Sequence, residues 1–255
     1  MKNQIIVLEG SDGVGKTTML KDLKKDIQAK DKKLKVLTVS LPYYSTALFK
    51  KIKETLEGKS YYPPDLVQSM FLINMIDCNN QIVNPFLDES SENHIVIFDR
   101  SIISTLIYNA ASGGSLYDSI KSFLIKTNSI NSPQSFNLDI INKLYCQLAY
   151  PISLTVFIQP PAKIVIEHAK NRKSKEKNDD ANEALSIYNY YESFYKFLSG
   201  QLYREIVNYF ENSQNLLISN QDKSKLLLLK NWNDKKSEEE NYKKYREAII
   251  AKIFE

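Results

Sequence analysis

A doubly wound α/β fold, with a five-stranded parallel sheet flanked by helices, is predicted by three observations. Five short apolar runs, at residues 5–8, 35–39, 95–98, 154–158 and 216–219, read as strands that are apolar on both faces, as a sheet covered on both sides requires. Segments with helical spacing lie between them, at 16–30, 65–84, 139–148, 162–173 and 181–210. Strand and helix alternate, which favours parallel strands joined by crossover helices, with the ligand at the carboxyl ends of the strands.

The first strand runs directly into Glu9, Gly10, Ser11, Asp12, Gly13, Val14, Gly15, Lys16, Thr17 and Thr18. Residues 10–17 form a complete GxxxxGKT phosphate-binding loop between a strand and an amphipathic helix. Its glycines let backbone N–H groups converge on phosphate oxygens, Lys16 can reach the β- and γ-phosphates, and the Thr17 hydroxyl can ligate Mg²⁺. The helix that follows adds the positive end of its dipole. The second strand leads to Leu41 and Pro42, and the third ends at Phe98 before Asp99, Arg100 and Ser101. A carboxylate there can hold the Mg²⁺ shell, and the adjacent guanidinium can clamp a phosphate. Residues 112–135, rich in Ser, Asn and Gly, read as a loop around a short helix, and the last helix is expected over 237–255.

At 255 residues and 43% hydrophobic content, the chain can bury one large core. Its formal charge of +4 is too slight and too dispersed to argue for a nucleic-acid partner. Only Cys78 and Cys146 are present, no apolar run approaches the roughly 20 residues of a membrane span, and the N-terminus carries no leader pattern. The expectation is a cytoplasmic, reduced protein without membrane contact.

The order and spacing of these segments resemble the thymidylate kinase family of P-loop nucleoside monophosphate kinases. The phosphate loop is close to that family's own, and Leu41 with Pro42 stands where it has a Phe-Pro element. Met70, Phe71 and Leu72 through Asp77 stand at its substrate helix, followed by Asn84, Pro85, Phe86 and Leu87 at the spacing of its Pro-x-Leu. Asp99 and Arg100, Ser104 and Thr105, then Tyr108 and Asn109 fall where it has Asp-Arg-Tyr, Ser-Ser and Tyr-Gln. Residues 154–158 with Glu167, Arg172, Asp180 and Glu183 resemble its fourth strand, next helix and lid. The resemblance implies one domain over 1–255, a lid near 171–183, an insertion at 221–236, and transfer of the ATP γ-phosphoryl to dTMP with Mg²⁺. It further implies that Asp12 receives a deoxyribose 3′-hydroxyl, that Phe71 stacks on the pyrimidine, and that Pro42, Arg100, Ser104, Tyr108 and Asn109 line the acceptor. Arg172, with Lys173, Lys175 and Lys177, is implied as a basic lid over the transferring group.

Departures from the pattern fall on the acceptor side. Tyr43 and Tyr44 stand in place of the arginine that grips the monophosphate, and Met75 in place of the one that reads thymine O4. Ser101, Asn109, Gln159 and Ala181 replace a tyrosine, a glutamine, an aspartate and a lid arginine. Two alternatives stay open. One is a deoxynucleoside kinase, favoured by Asp99, Arg100 and Ser101 but opposed by Asp12 and by the lack of a glutamate after the second strand. The other is an ATP-binding protein without turnover, acting as a partner. A monomer and a homodimer both fit the sequence.

Overall fold

The computed structural model describes residues 3–89, 93–114, 152–171, 181–199 and 225–255. Five parallel strands, β1 (Gln4–Glu9), β2 (Lys35–Ser40), β3 (His94–Asp99), β4 (Ile152–Ile158) and β5 (Lys225–Leu229), form one sheet in the order β2-β3-β1-β4-β5. β1 therefore lies at the centre, paired to β3 from Gln4 with Ile95 to Leu8 with Asp99, and to β4 on its other side. Its residues from Ile5 to Glu9 are all buried, because helices cover both faces of the sheet.

On one face, Ile6 and Leu8 pack with Met19, Leu23 and Ile27 of α1 (Lys16–Lys30), Val165 of α6 (Ala162–Lys170) and Tyr245, Ile249 and Ile253 of α8 (Glu238–Ile253). The opposite face carries Val7 and Phe98 under α3 (Pro64–Cys78), while Phe157 packs with α5 (Ile102–Ala111) and α7 (Ala181–Ser199). A short α2 (Phe49–Leu56) precedes α3. Buried Cys78 ends α3 with its thiol pushed up to about 12, chiefly by burial.

Three expectations are modified. The helix expected over 65–84 is α3, a widened π turn (Asn79–Val83) and α4 (Asn84–Asp88). Pro85 lacks an N–H for the Gln81 carbonyl and crowds it, and the widened turn just before it bonds Asn84 N–H to the Asn79 carbonyl instead. The sequence offers no clear element over 102–111, whose Ile and Thr favour strands. Ser101 starts a helix there by accepting the Ile103 N–H at 3.2 Å. The fifth strand is Lys225–Leu229, inside the segment read as an insertion, and it packs at the sheet edge beside β4. Residues 216–219, the helix at 139–148 and most of the lid, including Arg172, lie outside the described residues.

Candidate active site

The phosphate loop leaves the end of β1 and closes at Gly15, which caps α1 in the left-handed region at φ 80°. A side chain at Gly15 is excluded twice over, since a Cβ would also sit 2.6 Å from the Tyr242 ring. Lys16 is buried, and its Nζ donates to the Gly10 and Ser11 carbonyls at 2.8 Å each. Burial, with the neighbouring Arg100 cation, brings its ammonium down to about 8, against the opposing pull of Asp99, Asp12 and Glu9. Thr17 Oγ1 donates to Asp99 Oδ2 at 2.8 Å, joining α1 to the end of β3.

Arg100 follows β3 with φ 80°, a strained conformation for a side-chain-bearing residue, and its N–H is held by the Leu8 carbonyl at 2.9 Å. This turn sends its guanidinium back over the phosphate loop. There Nη2 pairs with Asp12 and donates to the Tyr108 hydroxyl at 3.2 Å, while Nη1 donates to Ser104 Oγ and the Tyr191 hydroxyl, both at 3.2 Å. Tyr108 donates to Asp12 Oδ2 at 2.8 Å, so carboxylate, phenol and guanidinium form a closed triangle.

Beneath this triangle lies Glu9, fully buried, the residue that opens the loop motif and to which the sequence reading gave no role. It accepts from Ser101 Oγ at 2.5 Å, Ser104 Oγ at 2.6 Å and the Tyr191 hydroxyl at 3.3 Å. Burial raises its carboxyl above the usual range, opposed by the two serine hydroxyls and the Arg100 charge. Ser101, read as a departure, thus has work of its own: it caps α5 and supports Glu9.

The residues expected on the acceptor side gather along α3 and α5. Asn74 locks the loop after β2 onto α3, accepting the Tyr43 N–H at 2.6 Å and donating to the Tyr43 carbonyl at 2.9 Å. This places Pro42 and Tyr43 beside α3, on which Phe71 is half-buried. Met75 is buried in the apolar cluster with Ile102, Leu106 and Ile107. Asn109 is buried, with its amide nitrogen 3.4 Å from Asp65. Gln68, one turn along α3 from Asp65, is 2% exposed, and neither of its amide atoms has a hydrogen-bond partner. Sequence reading missed Gln68; a polar residue between apolar positions of a helix was the available signal. Thr18 is exposed at the start of α1, and Gln159 is buried after β4 with its amide nitrogen unpartnered.

A sequence model of the thymidylate kinase family matches residues 8–142, more than half of the chain. The chain belongs to the thymidylate kinase family. A thymidylate kinase of Caldicellulosiruptor saccharolyticus is 32% identical over 130 residues, covering 51% of this chain and 59% of that protein. The chain thus matches about three fifths of that curated relative's length. Among solved structures, the thymidylate kinase of Candida albicans superposes with a TM-score of 0.57 at 18% identity, covering 98% of this chain and 92% of that one. The thymidylate kinase of Ehrlichia chaffeensis superposes with a TM-score of 0.54 at 15% identity, with both chains covered in full. These two likenesses establish the family's fold across the chain.

Proposed function

We propose that this chain, as one domain, transfers the γ-phosphoryl of ATP to a deoxynucleoside monophosphate, dTMP before others, giving dTDP and ADP. The observation that carries the reading is the Asp12, Arg100 and Tyr108 triangle set on the phosphate loop. It brings a guanidinium and a hydroxyl-accepting carboxylate to the place where a second nucleotide must meet the first. In the transfer, a phosphate oxygen of the acceptor bonds to the γ-phosphorus while the bond to the β–γ bridging oxygen breaks, and that electron pair leaves with ADP. No covalent intermediate is needed, so the protein's contribution is positioning and charge neutralisation.

Lys16 would neutralise the β- and γ-phosphates, leaving its two loop carbonyls as it does so. Arg100 would hold the acceptor phosphate, Asp12 the 3′-hydroxyl and Phe71 the base, with Arg172 of the lid closing over the transferring group. A Mg²⁺ ion fits beside Thr17 and Asp99, because Asp99 Oδ1 is buried without a hydrogen-bond partner. When bound it supplies charge neutralisation on the phosphates. Leu66 and Ile73, at 47% and 56% exposure and seven residues apart on α3, mark the face on which a second copy would sit. No helix among the described residues is long and apolar enough to cross a membrane, and ATP as donor suits a cytoplasmic setting.

The deciding experiment measures ADP release with dTMP, dUMP, dCMP, dAMP and thymidine in turn, with and without Mg²⁺. The expected result is Mg²⁺-dependent release, fastest with dTMP. Release with thymidine but with no monophosphate would overturn the reading in favour of a nucleoside kinase. ATP binding with no acceptor turned over would overturn it in favour of a binding protein.

A further inference from the structure

The phosphate loop has a second support, away from the Arg100 triangle. Gly13, at φ +82°, lies so close to α6 that a Cβ there would be 3.2 Å from His168 Cβ and 3.2 Å from the Val165 carbonyl oxygen. His168 Nδ1 is 2.6 Å from the Gly13 carbonyl oxygen. Its Nε2 is 3.1 and 3.3 Å from the two carboxylate oxygens of Glu238, the first residue of α8. Among the described residues, Gly13 and Glu238 are its hydrogen-bonding partners, and Tyr242 of α8, which meets Gly15, also feels the Glu238 charge. A surface ion pair from Lys163 to Asp234, at 2.9 Å, ties α6 to the segment leading into α8.

Both partners of the ring are acceptors. A carbonyl oxygen cannot donate, and neither can an ionised carboxylate. A neutral imidazole has one N–H, so satisfying Gly13 through Nδ1 turns the Nε2 lone pair toward the carboxylate. Only the doubly protonated ring donates to both. The ring is mostly covered, at 30% exposure, so the mismatch would be felt.

We propose that His168 is a positioning residue for the donor nucleotide: braced by Glu238, it fixes the Gly13 carbonyl and orients the loop N–H groups toward the phosphates. The inference rests on the proposed donor site, since it concerns the same loop. It assigns α6 and α8 a direct part in nucleotide affinity.

The test uses the full chain and follows ADP binding by calorimetry, together with steady-state KM values for ATP and dTMP. His168→Ala is expected to weaken ADP by about tenfold or more, the scale of a lost charge-assisted hydrogen bond, with the KM for dTMP changed less than twofold. His168→Arg, which can donate on two sides, should restore affinity to within about threefold. Unchanged ADP affinity in His168→Ala, or equal loss of ADP and dTMP binding without rescue by arginine, would overturn the proposal. If ADP binding weakens in His168→Ala and returns in His168→Arg, but the wild type turns over no monophosphate, the proposed reaction fails and the brace stands. If the wild type binds no ADP, both fall.

Discussion

Around the phosphate loop, charged groups are matched to one another and to the backbone: Lys16 to two carbonyls, Asp12 to Arg100 and Tyr108, Thr17 to Asp99. Along α3 and the turn after it, the buried polar groups are amides. Gln68 and Asn79 have both amide atoms without a partner, and on neighbouring α5 the Asn109 amide oxygen has none. One half of the site is thus preorganised electrostatically; the other is adaptable, because an amide can present a donor or an acceptor on either side. Binding in the first half should depend on charge and pH, and in the second on shape and base identity.

The largest effect expected bears on whether the acceptor half tolerates charge. Met75 stands where the family pattern has an arginine, but it packs against Ile102 and Leu106. Met75→Arg should therefore bury an unpaired cation and cost about 3 to 5 kcal/mol of stability, read by urea denaturation. Near-wild-type stability together with sharper preference for thymine over cytosine would show that a polar path to the base exists there, and the contrast between the halves would weaken. Next, Lys16→Met should lower kcat at least about a hundredfold while leaving the fold intact by circular dichroism. Near-normal turnover would break the assignment of the donor half.

Affinity for ATP should also follow the Lys16 ammonium, which stands at about 8 before phosphate arrives. Phosphates favour the charged form and raise that value on binding, so the gain is full below pH 8. It is lost as pH rises from 8 toward the bound value, by up to about tenfold per unit. A flat affinity profile from pH 7.5 to 9.5 would remove Lys16 from phosphate binding. The smallest effect concerns Gln68. Gln68→Leu deletes two unpartnered buried polar atoms, so the free protein should gain about 1 kcal/mol, a rise in Tm of roughly 2 to 4 °C. A lower Tm would show that the amide is satisfied in solution.

The geometry of the proposed donor half was legible because strand, glycine loop, lysine and helix are contiguous there. Asp99 and Arg100 were readable as well, since β3 delivers them beside β1 in a parallel sheet. What escaped reading depends on distant partners. Glu9 meets Tyr191 across 182 positions and His168 meets Gly13 across 155, and no spacing rule joins such pairs. The helix over Ile102–Ala111 escaped because its β-branched residues favour strands in isolation, and burial against α3 and α7 overrides that preference. The edge strand escaped because 216–219 and 226–229 both read as short apolar runs, and spacing alone does not show that Lys225–Leu229 pairs with β4.

Cys78 gives the acceptor helix a chemical clock. With its thiol at about 12, only about one molecule in a hundred thousand carries a thiolate there at pH 7, and the sulfur is shielded by the core even then. An alkylating reagent must wait for the end of α3 to lift from the sheet, so the speed at which Cys78 is trapped, under conditions where the chain stays native, counts those openings directly. A nucleotide that seats against α3 would slow the clock. One held by the phosphate loop alone would leave it running.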